Sequence, residues 1–278
     1  MNVEAIKTCI EALNNLDPRS ADAYAKAVAY FREAKRVPFF VLDFPNLPFY
    51  IFRTRTHQSN NFFEHFADLA LPPAGVVGGY GRCNIPGQPV FYGSDFRPTS
   101  YMELLEYWVS EKKEQYLFAT IGKWKISNQL SALIVTSPYE KDRSSFYDKS
   151  HGERLDHFIN SYSGEEKEAM ILFYKFLFDR FRKPAKNDPQ TYLITSAYSN
   201  LAFKNKKVDA IFYPSVPFQG DGVNLAIQAG YDFDKNLQLE LVARNQFERL
   251  DTTPHPTFQE VELRQAKQLD HGNQRIIW

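Results

Sequence analysis

The chain lacks most of the features that mark disulfide-rich and zinc-stabilised proteins. Only two of its 278 residues are cysteines, Cys9 and Cys83, and no CxxC pair or Cys/His cluster occurs. We therefore expect neither a disulfide framework nor a structural zinc site, and a reducing compartment fits this cysteine usage. His151 and His157 are six residues apart, which would put them on different faces of a helix, so we expect no metal pair there.

The chain also has no excess of positive or negative charge and no long apolar run. The formal net charge is zero, so no overall field attracts nucleic acid or an anionic membrane. No apolar run approaches the roughly 20 residues of a membrane helix, and residues 1–7 lack the apolar core of a signal peptide. These absences predict a cytoplasmic protein with no membrane partner, no direct nucleic-acid partner and no metal.

The residues that are present predict a globular α+β fold. Hydrophobic residues make up 44% of the chain, and its length allows a sizeable core. Helices are predicted at about 3–35 (with a break at Asp17-Pro18), 98–113, 165–182 and 192–203. Strands are predicted at 39–42, 49–55, 90–92, 116–121, 130–136, 209–213 and 237–244. Because these elements mix without a regular βαβ period, α+β is favoured over a doubly wound fold.

Two arginines on one predicted strand are the first candidate site residues. Arg53 and Arg55 are two apart, so on a strand both side chains project from the same face. Two guanidinium groups side by side suit a diphosphate, because each can bind oxygens bidentately. The structural alternative is a pair of solvated arginines at a strand end.

A glycine-rich segment at residues 78–92 is the second candidate. Its glycines permit positive φ angles and close approach of the backbone to a ligand. It is not a dinucleotide-binding GxGxxG turn, because Asn84 occupies the third glycine position, and no Gly-Lys-Ser/Thr of a Walker A loop follows. A plain turn is the alternative interpretation.

The predicted helix after this segment carries two candidate carboxylates. Ser100 and Glu103 have the spacing of a capping box, in which the glutamate reaches back to the cap's backbone N–H. Glu103 is therefore either a helix cap or a functional carboxylate. Glu106 lies three residues further on the same face and is the second choice.

Ser215 follows a predicted strand between two prolines. A turn serine bonded to its own backbone is one interpretation. A nucleophile is not indicated, because no GxSxG elbow or evident histidine partner occurs. A functional Ser215 would position a ligand by hydrogen bonding, and Asn224 would act in the same way or shape a turn.

Taken together and in this order, these segments resemble the RES family over residues 49–245. The resemblance comprises an aromatic-Arg-x-Arg strand at 52–55, a Gly-Arg-x-Asn-x-x-Gly-x-Pro-Val-x-Tyr block at 81–92, and a glutamate in the next helix. A Tyr-Pro-Ser at 213–215 and a Gly-x-Asn-Leu-Ala at 222–226 follow. Cys83 stands where the family often has tryptophan. Residues 1–38 lie outside the pattern, and residues 137–190 are longer than a minimal member needs.

The resemblance implies specific roles for these residues. Arg53, Glu103 and Ser215 become the name-giving catalytic set, and Tyr80, Arg82 and Tyr92 become candidates for lining an NAD pocket. Thr54 becomes a candidate for binding the nicotinamide amide through its backbone. Arg55 and Asn224 complete the predicted substrate-binding set. The implied fold is the split β-core of ADP-ribosyltransferases surrounded by helices, here with an N-terminal helical extension.

The resemblance also implies a function and a domain plan. It predicts an NAD-consuming enzyme, with NAD as substrate, that acts as the toxin of a toxin–antitoxin pair. A separate Xre-type antitoxin chain is a possible partner. ADP-ribosyl transfer to a protein and a non-catalytic nucleotide-binding module are the alternatives. The predicted domains are an extension at 1–38, the catalytic domain at 39–246 and a polar tail at 247–278.

Overall fold

The computed structural model describes most of the chain. The described ranges are 2–34, 37–44, 49–57, 61–111, 114–143, 145–184, 188–205, 207–215, 222–251 and 256–278, with only the backbone of Glu103 and Glu111. The chain divides into two compact units. The first unit comprises residues 1–44, 73–90 and 130–228, and the second comprises residues 45–72, 91–129 and 229–278. The domain boundaries drawn from sequence at 38 and 246 remain predictions.

The described part of the first unit contains five long helices and four strands. Its helices are α1 (Val3–Asn14), α2 (Ala23–Glu33), α4 (Phe146–Asn160), α5 (Gly164–Arg182) and α6 (Pro189–Phe203). Its strands are β1 (Val41–Phe44), β5 (Leu130–Ile134), β6 (Ala210–Pro214) and β7 (Val223–Gln228). They pair in the order β1-β5-β6-β7; β5 and β6 run parallel, and the other two pairs are antiparallel.

The two N-terminal helices belong to the core of this first unit. Helix α1 begins where the Asn2 side chain accepts the backbone N–H groups of the first turn. Its buried stripe of Ile6, Cys9 and Leu13 recurs every three to four residues and packs on α5, while α2 packs on α6. Burial of a single aliphatic side chain contributes about 1.5–3 kcal/mol. Residues 3–33 are therefore anchored by packing.

In its described residues, the second unit is an antiparallel sheet with one long helix. Its strands are β2 (Phe49–His57), β3 (Val90–Ser94, Val90 itself counting with the first unit), β4 (Tyr116–Ile126), β8 (Leu237–Leu250) and β9 (Thr257–Gln265). They follow the order β3-β2-β4-β8-β9. A short helix α7 (Phe233–Asn236) precedes β8, and β10 (Gln268–Asp270) pairs with β11 (Arg275–Ile277).

Helix α3 (Thr99–Glu111) packs on one face of this second sheet. Its buried residues Leu105, Trp108 and Val109 form a cluster with Ala119 of β4 and Phe247 of β8. Ala119 and Phe247 alternate with residues of the opposite face, as the two-residue period of a strand requires. One face of the sheet therefore holds α3, and the other carries Arg53 and Arg55.

The predicted α+β class is confirmed, and the boundaries of several predicted elements are close to the observed ones. The sequence did not indicate α4, β7 or β9. Strand β9 lies in the predicted polar tail and is mostly exposed, which explains its polar composition. Within the described ranges, no helix has both the length and the apolar composition needed to cross a bilayer.

Candidate functional site

Arg53 is a buried cation in the middle of β2. It is only 8% exposed and lies opposite Gly122 of β4. Its Nη1 donates to the backbone oxygen of Tyr92 at 2.9 Å, and its guanidinium carbon lies 4.8 Å from the centroid of the Phe91 ring. Burial, and then the charge of Arg55, lower the pKa of Arg53 to about 10, so it remains charged at neutral pH.

The charge of Arg53 is not neutralised within the described part of the chain. No described carboxylate forms an ion pair with it, and its buried Nε has no hydrogen-bond partner there. A buried charge without an ionic partner is costly, because desolvation is not repaid by Coulomb attraction. Arg53 is therefore suited to receive an anionic ligand.

Arg55 projects from the same face of β2, as its two-residue spacing from Arg53 predicts. Its Nη1 donates to the backbone oxygen of Asp68 at 2.8 Å, and its guanidinium lies 5.8 Å from the Phe63 ring centroid. Both guanidinium groups are thus oriented by backbone carbonyls. Among the described residues each group makes one bond to the main chain, so each has further N–H donors for a ligand.

Thr54 points to the opposite face and joins β2 to helix α3. The Thr54 Oγ1 lies 2.7 Å from the Ser100 Oγ, which itself donates to the Arg97 backbone oxygen at 2.7 Å. Because the single Ser100 proton is used on Arg97, the Thr54 hydroxyl is the donor. This contact fixes the first turn of α3 against the strand that carries Arg53.

Glu103 lies in α3, one turn after Ser100. Its side chain lies outside the described part of the structure. Ser100 itself is inside the helix, which begins at Thr99, so it is not the N-cap residue that the capping-box interpretation requires. Glu106 lies on the same helix and is exposed.

Tyr92 and Arg53 are joined through the main chain. The Tyr92 backbone oxygen accepts the Arg53 bond, and its side chain is half-buried. The main chain of Tyr92 therefore positions Arg53, independently of the contacts that the Tyr92 ring makes.

The glycine-rich segment belongs to the first unit and is closed by Asn84. The Asn84 Nδ2 donates to the backbone oxygens of Gly79 and Ile85, both at 3.1 Å. The Asn84 backbone oxygen accepts the Gly81 N–H at 3.0 Å. Gly87 adopts a φ of +76°, a conformation that favours glycine. Asn84 was not among the predicted site residues, although it is part of the Gly-Arg-x-Asn block on which the family resemblance depends.

Arg82 is buried and holds the end of α5. Its Nη1 and Nη2 donate to the backbone oxygens of Arg180 and Lys183 at 3.3 and 3.2 Å. Its guanidinium also lies within 6 Å of the ring centroids of Tyr192 and Tyr213. These contacts satisfy carbonyls that a helix C-terminus leaves unpaired.

The neighbouring Cys83 is fully buried, which raises the pKa of its thiol to about 12. It is therefore an unreactive thiol.

Ser215 follows β6 and is almost completely buried, at 1% exposure. Its backbone N–H donates to the Gly222 oxygen at 2.7 Å, whereas its Oγ has no hydrogen-bond partner within the described residues. A buried hydroxyl left unpaired costs about 1–3 kcal/mol. Asn224 is close by on β7, opposite Tyr213 of β6. Residues 216–221, which include the second proline of the serine motif, lie outside the described ranges.

The nine predicted site residues divide between the two units. Arg53, Thr54, Arg55, Tyr92 and Glu103 lie in the second unit, and Tyr80, Arg82, Ser215 and Asn224 lie in the first. In the second unit, Arg53 and Arg55 project from the face of the sheet opposite α3, the helix that carries Glu103. In the first unit, Ser215 and Asn224 lie at the paired strands β6 and β7, and Tyr80 and Arg82 lie in the glycine-rich loop. In the described ranges, no group of three or more His, Cys, Asp or Glu side chains is arranged to hold a metal.

No family model matches the chain, and no curated protein is significantly similar to it in sequence.

Proposed function

We propose that this protein is an NAD-consuming enzyme that cleaves the bond between nicotinamide and ribose. The observation that carries the proposal is Arg53, a buried guanidinium with no described carboxylate partner and an unpaired Nε. It lies in the aromatic-Arg-x-Arg strand of the motif series that resembles the RES family. An anionic ligand such as a pyrophosphate would supply the missing counter-charge.

The chemistry of NAD explains why these residue types suffice. Nicotinamide leaves with the electron pair of its bond to the anomeric carbon, so little acid assistance is needed, but the ribose develops oxocarbenium character. Glu103 would stabilise that positive charge and bind a ribose hydroxyl. Arg53 would hold the pyrophosphate or the ribose in a reactive pose.

Other residues of the set would orient the substrate. The Ser215 hydroxyl, which has no hydrogen-bond partner among the described residues, would bond on the nicotinamide side, with Asn224 next to it on the sheet. Thr54 would present its backbone to the nicotinamide amide while its hydroxyl holds α3. We assign Arg82 an indirect role, since both its terminal nitrogens are engaged at the end of α5.

The group that accepts the ADP-ribosyl unit defines the type of enzyme. Water would give ADP-ribose and a proton, inorganic phosphate would give a phosphorylated ADP-ribose, and a protein side chain would give an ADP-ribosylated target. We favour water or phosphate. We also propose, from the family resemblance alone, a toxin role inside the cytoplasm, an ADP-ribosyltransferase-like core and control by a separate Xre-type antitoxin chain.

The test is incubation of purified protein with NAD, with free nicotinamide followed by chromatography. We expect nicotinamide release, and a dependence on inorganic phosphate would identify phosphorolysis. NAD binding without release in either buffer would support protein ADP-ribosylation or a binding module. Absence of binding would contradict the proposal altogether.

A further inference from the structure

The N-terminal helix α2 places an aromatic ring beside Tyr80 of the glycine-rich loop. The ring centroids of Tyr24 and Tyr80 are 5.9 Å apart and their planes are inclined by 36°. This separation is within the 4.5–7 Å range of interacting aromatic pairs. Both residues belong to the first unit.

The position of the Tyr24 ring is set by the packing of α2. Tyr24 is the second residue of the helix and directly follows the buried Ala23. Ala27 and Phe31 bury the same helix face, and the Phe31 ring contacts Tyr198 of α6 at 5.4 Å between centroids. Tyr24 is therefore carried by a firmly packed helix and not by a free end of the chain.

Neither ring of the pair is enclosed by the core. Tyr80 is 39% exposed and Tyr24 is partly exposed. A Cβ atom built on Gly78 or Gly79 would meet no atom within 4 Å, so the loop next to Tyr80 borders open space. Two aromatic rings at the edge of an open space are suited to base stacking, because every base offers a flat π face.

We infer that Tyr24 and Tyr80 together form the platform on which the adenine ring of NAD stacks. The inference rests on the proposed function, in which NAD is the substrate. NAD carries two aromatic rings, and the proposed function uses the nicotinamide ring as the leaving group of the cleaved bond. The adenine ring is the one left for the tyrosine pair. Residues 1–34 then supply part of the substrate site as well as part of the core.

Two substrates distinguish this role from a purely structural one. Nicotinamide mononucleotide has the scissile bond of NAD but no adenine. Tyr24→Ala should raise the KM for NAD about tenfold, the effect of one lost base–aromatic stack, and leave kcat within about twofold. The KM for nicotinamide mononucleotide should not change. Tyr24→Phe, which keeps the aromatic face, should behave like the unmodified protein.

Tyr30→Ala is the matched control, since Tyr30 lies on α2, is also partly buried and is six residues from Tyr24. It should leave both KM values unchanged. If Tyr24→Ala does not fold, Tyr24→Leu retains apolar bulk without an aromatic face and should give the same tenfold rise. An unchanged KM for NAD in a folded variant, or an equal rise for both substrates, would overturn the inference.

Calorimetric binding of ADP-ribose separates this inference from the proposed function. ADP-ribose binding that weakens in Tyr24→Ala, in a protein that releases no nicotinamide, would support the platform and refute the enzyme. Failure of the unmodified protein to bind ADP-ribose would overturn the platform as well.

Discussion

The Thr54 hydroxyl donates to the Ser100 hydroxyl across 2.7 Å and so joins strand β2 to the first turn of helix α3. The strand carries Arg53 and the helix carries Glu103. One side-chain hydrogen bond thus links the backbones that hold two of the three proposed catalytic residues.

Breaking this link should cost stability and activity together. Thr54→Val and Ser100→Ala should each lower the free energy of unfolding by about 1 kcal/mol, and the double variant should lose less than the sum. Urea denaturation measures these changes, and nicotinamide release should fall because α3 is less firmly held. Thr56→Val, on the same face of β2 and exposed, should stay within about 0.5 kcal/mol. Fully additive losses would show that the two hydroxyls act independently.

Ser215→Ala should separate stability from function. The Ser215 Oγ is buried without a described partner, so removing it should leave the free energy of unfolding unchanged or raise it by up to about 1 kcal/mol. Nicotinamide release should nevertheless fall, because the ligand loses a hydrogen bond.

Ser199→Ala is the control for this prediction. The Ser199 Oγ is buried and donates to the Arg82 backbone oxygen, so its loss should lower the free energy of unfolding by about 1 kcal/mol. A strong destabilisation by Ser215→Ala with full activity would mean that the Ser215 hydroxyl is structural.

Arg82→Met should act mainly on stability. The substitution keeps an apolar stem but removes the donors that hold the Arg180 and Lys183 carbonyls, so we expect a loss of about 2–4 kcal/mol. Arg82→Lys should recover part of it. Thermal unfolding measures the loss, and the KM for NAD is determined well below the transition. A raised KM at unchanged stability would instead make Arg82 a direct ligand contact.

Asp148 should make stability depend on mildly acidic pH. Burial raises the pKa of this carboxyl to about 6, against the opposing effects of hydrogen bonds from Ser145 and Thr136. The pKa of an aspartate in the unfolded chain is near 4. At pH values between about 4 and about 6, the folded protein therefore keeps a proton on Asp148 that the unfolded chain has lost. The stabilising contribution is therefore fully present below pH 4 and disappears as the pH rises through about 6. Denaturation of the unmodified protein and of Asp148→Asn across this range tests it. An identical pH dependence in both would exclude Asp148 as the source.

Local patterns in the sequence predicted most of the elements that carry the site. The aromatic and β-branched content of residues 49–55 predicted β2, and a helix predicted at about 98–113 corresponds to α3. The engagement of Arg82 was not predictable, because its acceptors at positions 180 and 183 are about a hundred residues away and depend on where α5 ends. The closing role of Asn84 was missed because one asparagine can bond to many backbone groups, and only the loop geometry selects them.

The contact between Tyr24 and Tyr80 could not be predicted from the sequence either. It depends on the packing of α2 against α6, which no spacing within either segment encodes. The sequence predicted residues 1–38 as a helical extension, and in the structure α1 and α2 contribute buried residues to the first unit.

The most direct test of the account is the rate of nicotinamide release from NAD by Glu103→Gln, which keeps the shape of the side chain and removes its charge. We predict a loss of at least about a hundredfold, typical of removing an electrostatic contact to a transition state. Glu106→Gln on the same helix should stay within about twofold of the unmodified protein. Undiminished release by Glu103→Gln would contradict the assignment of the catalytic carboxylate, and a loss confined to Glu106→Gln would transfer it to Glu106.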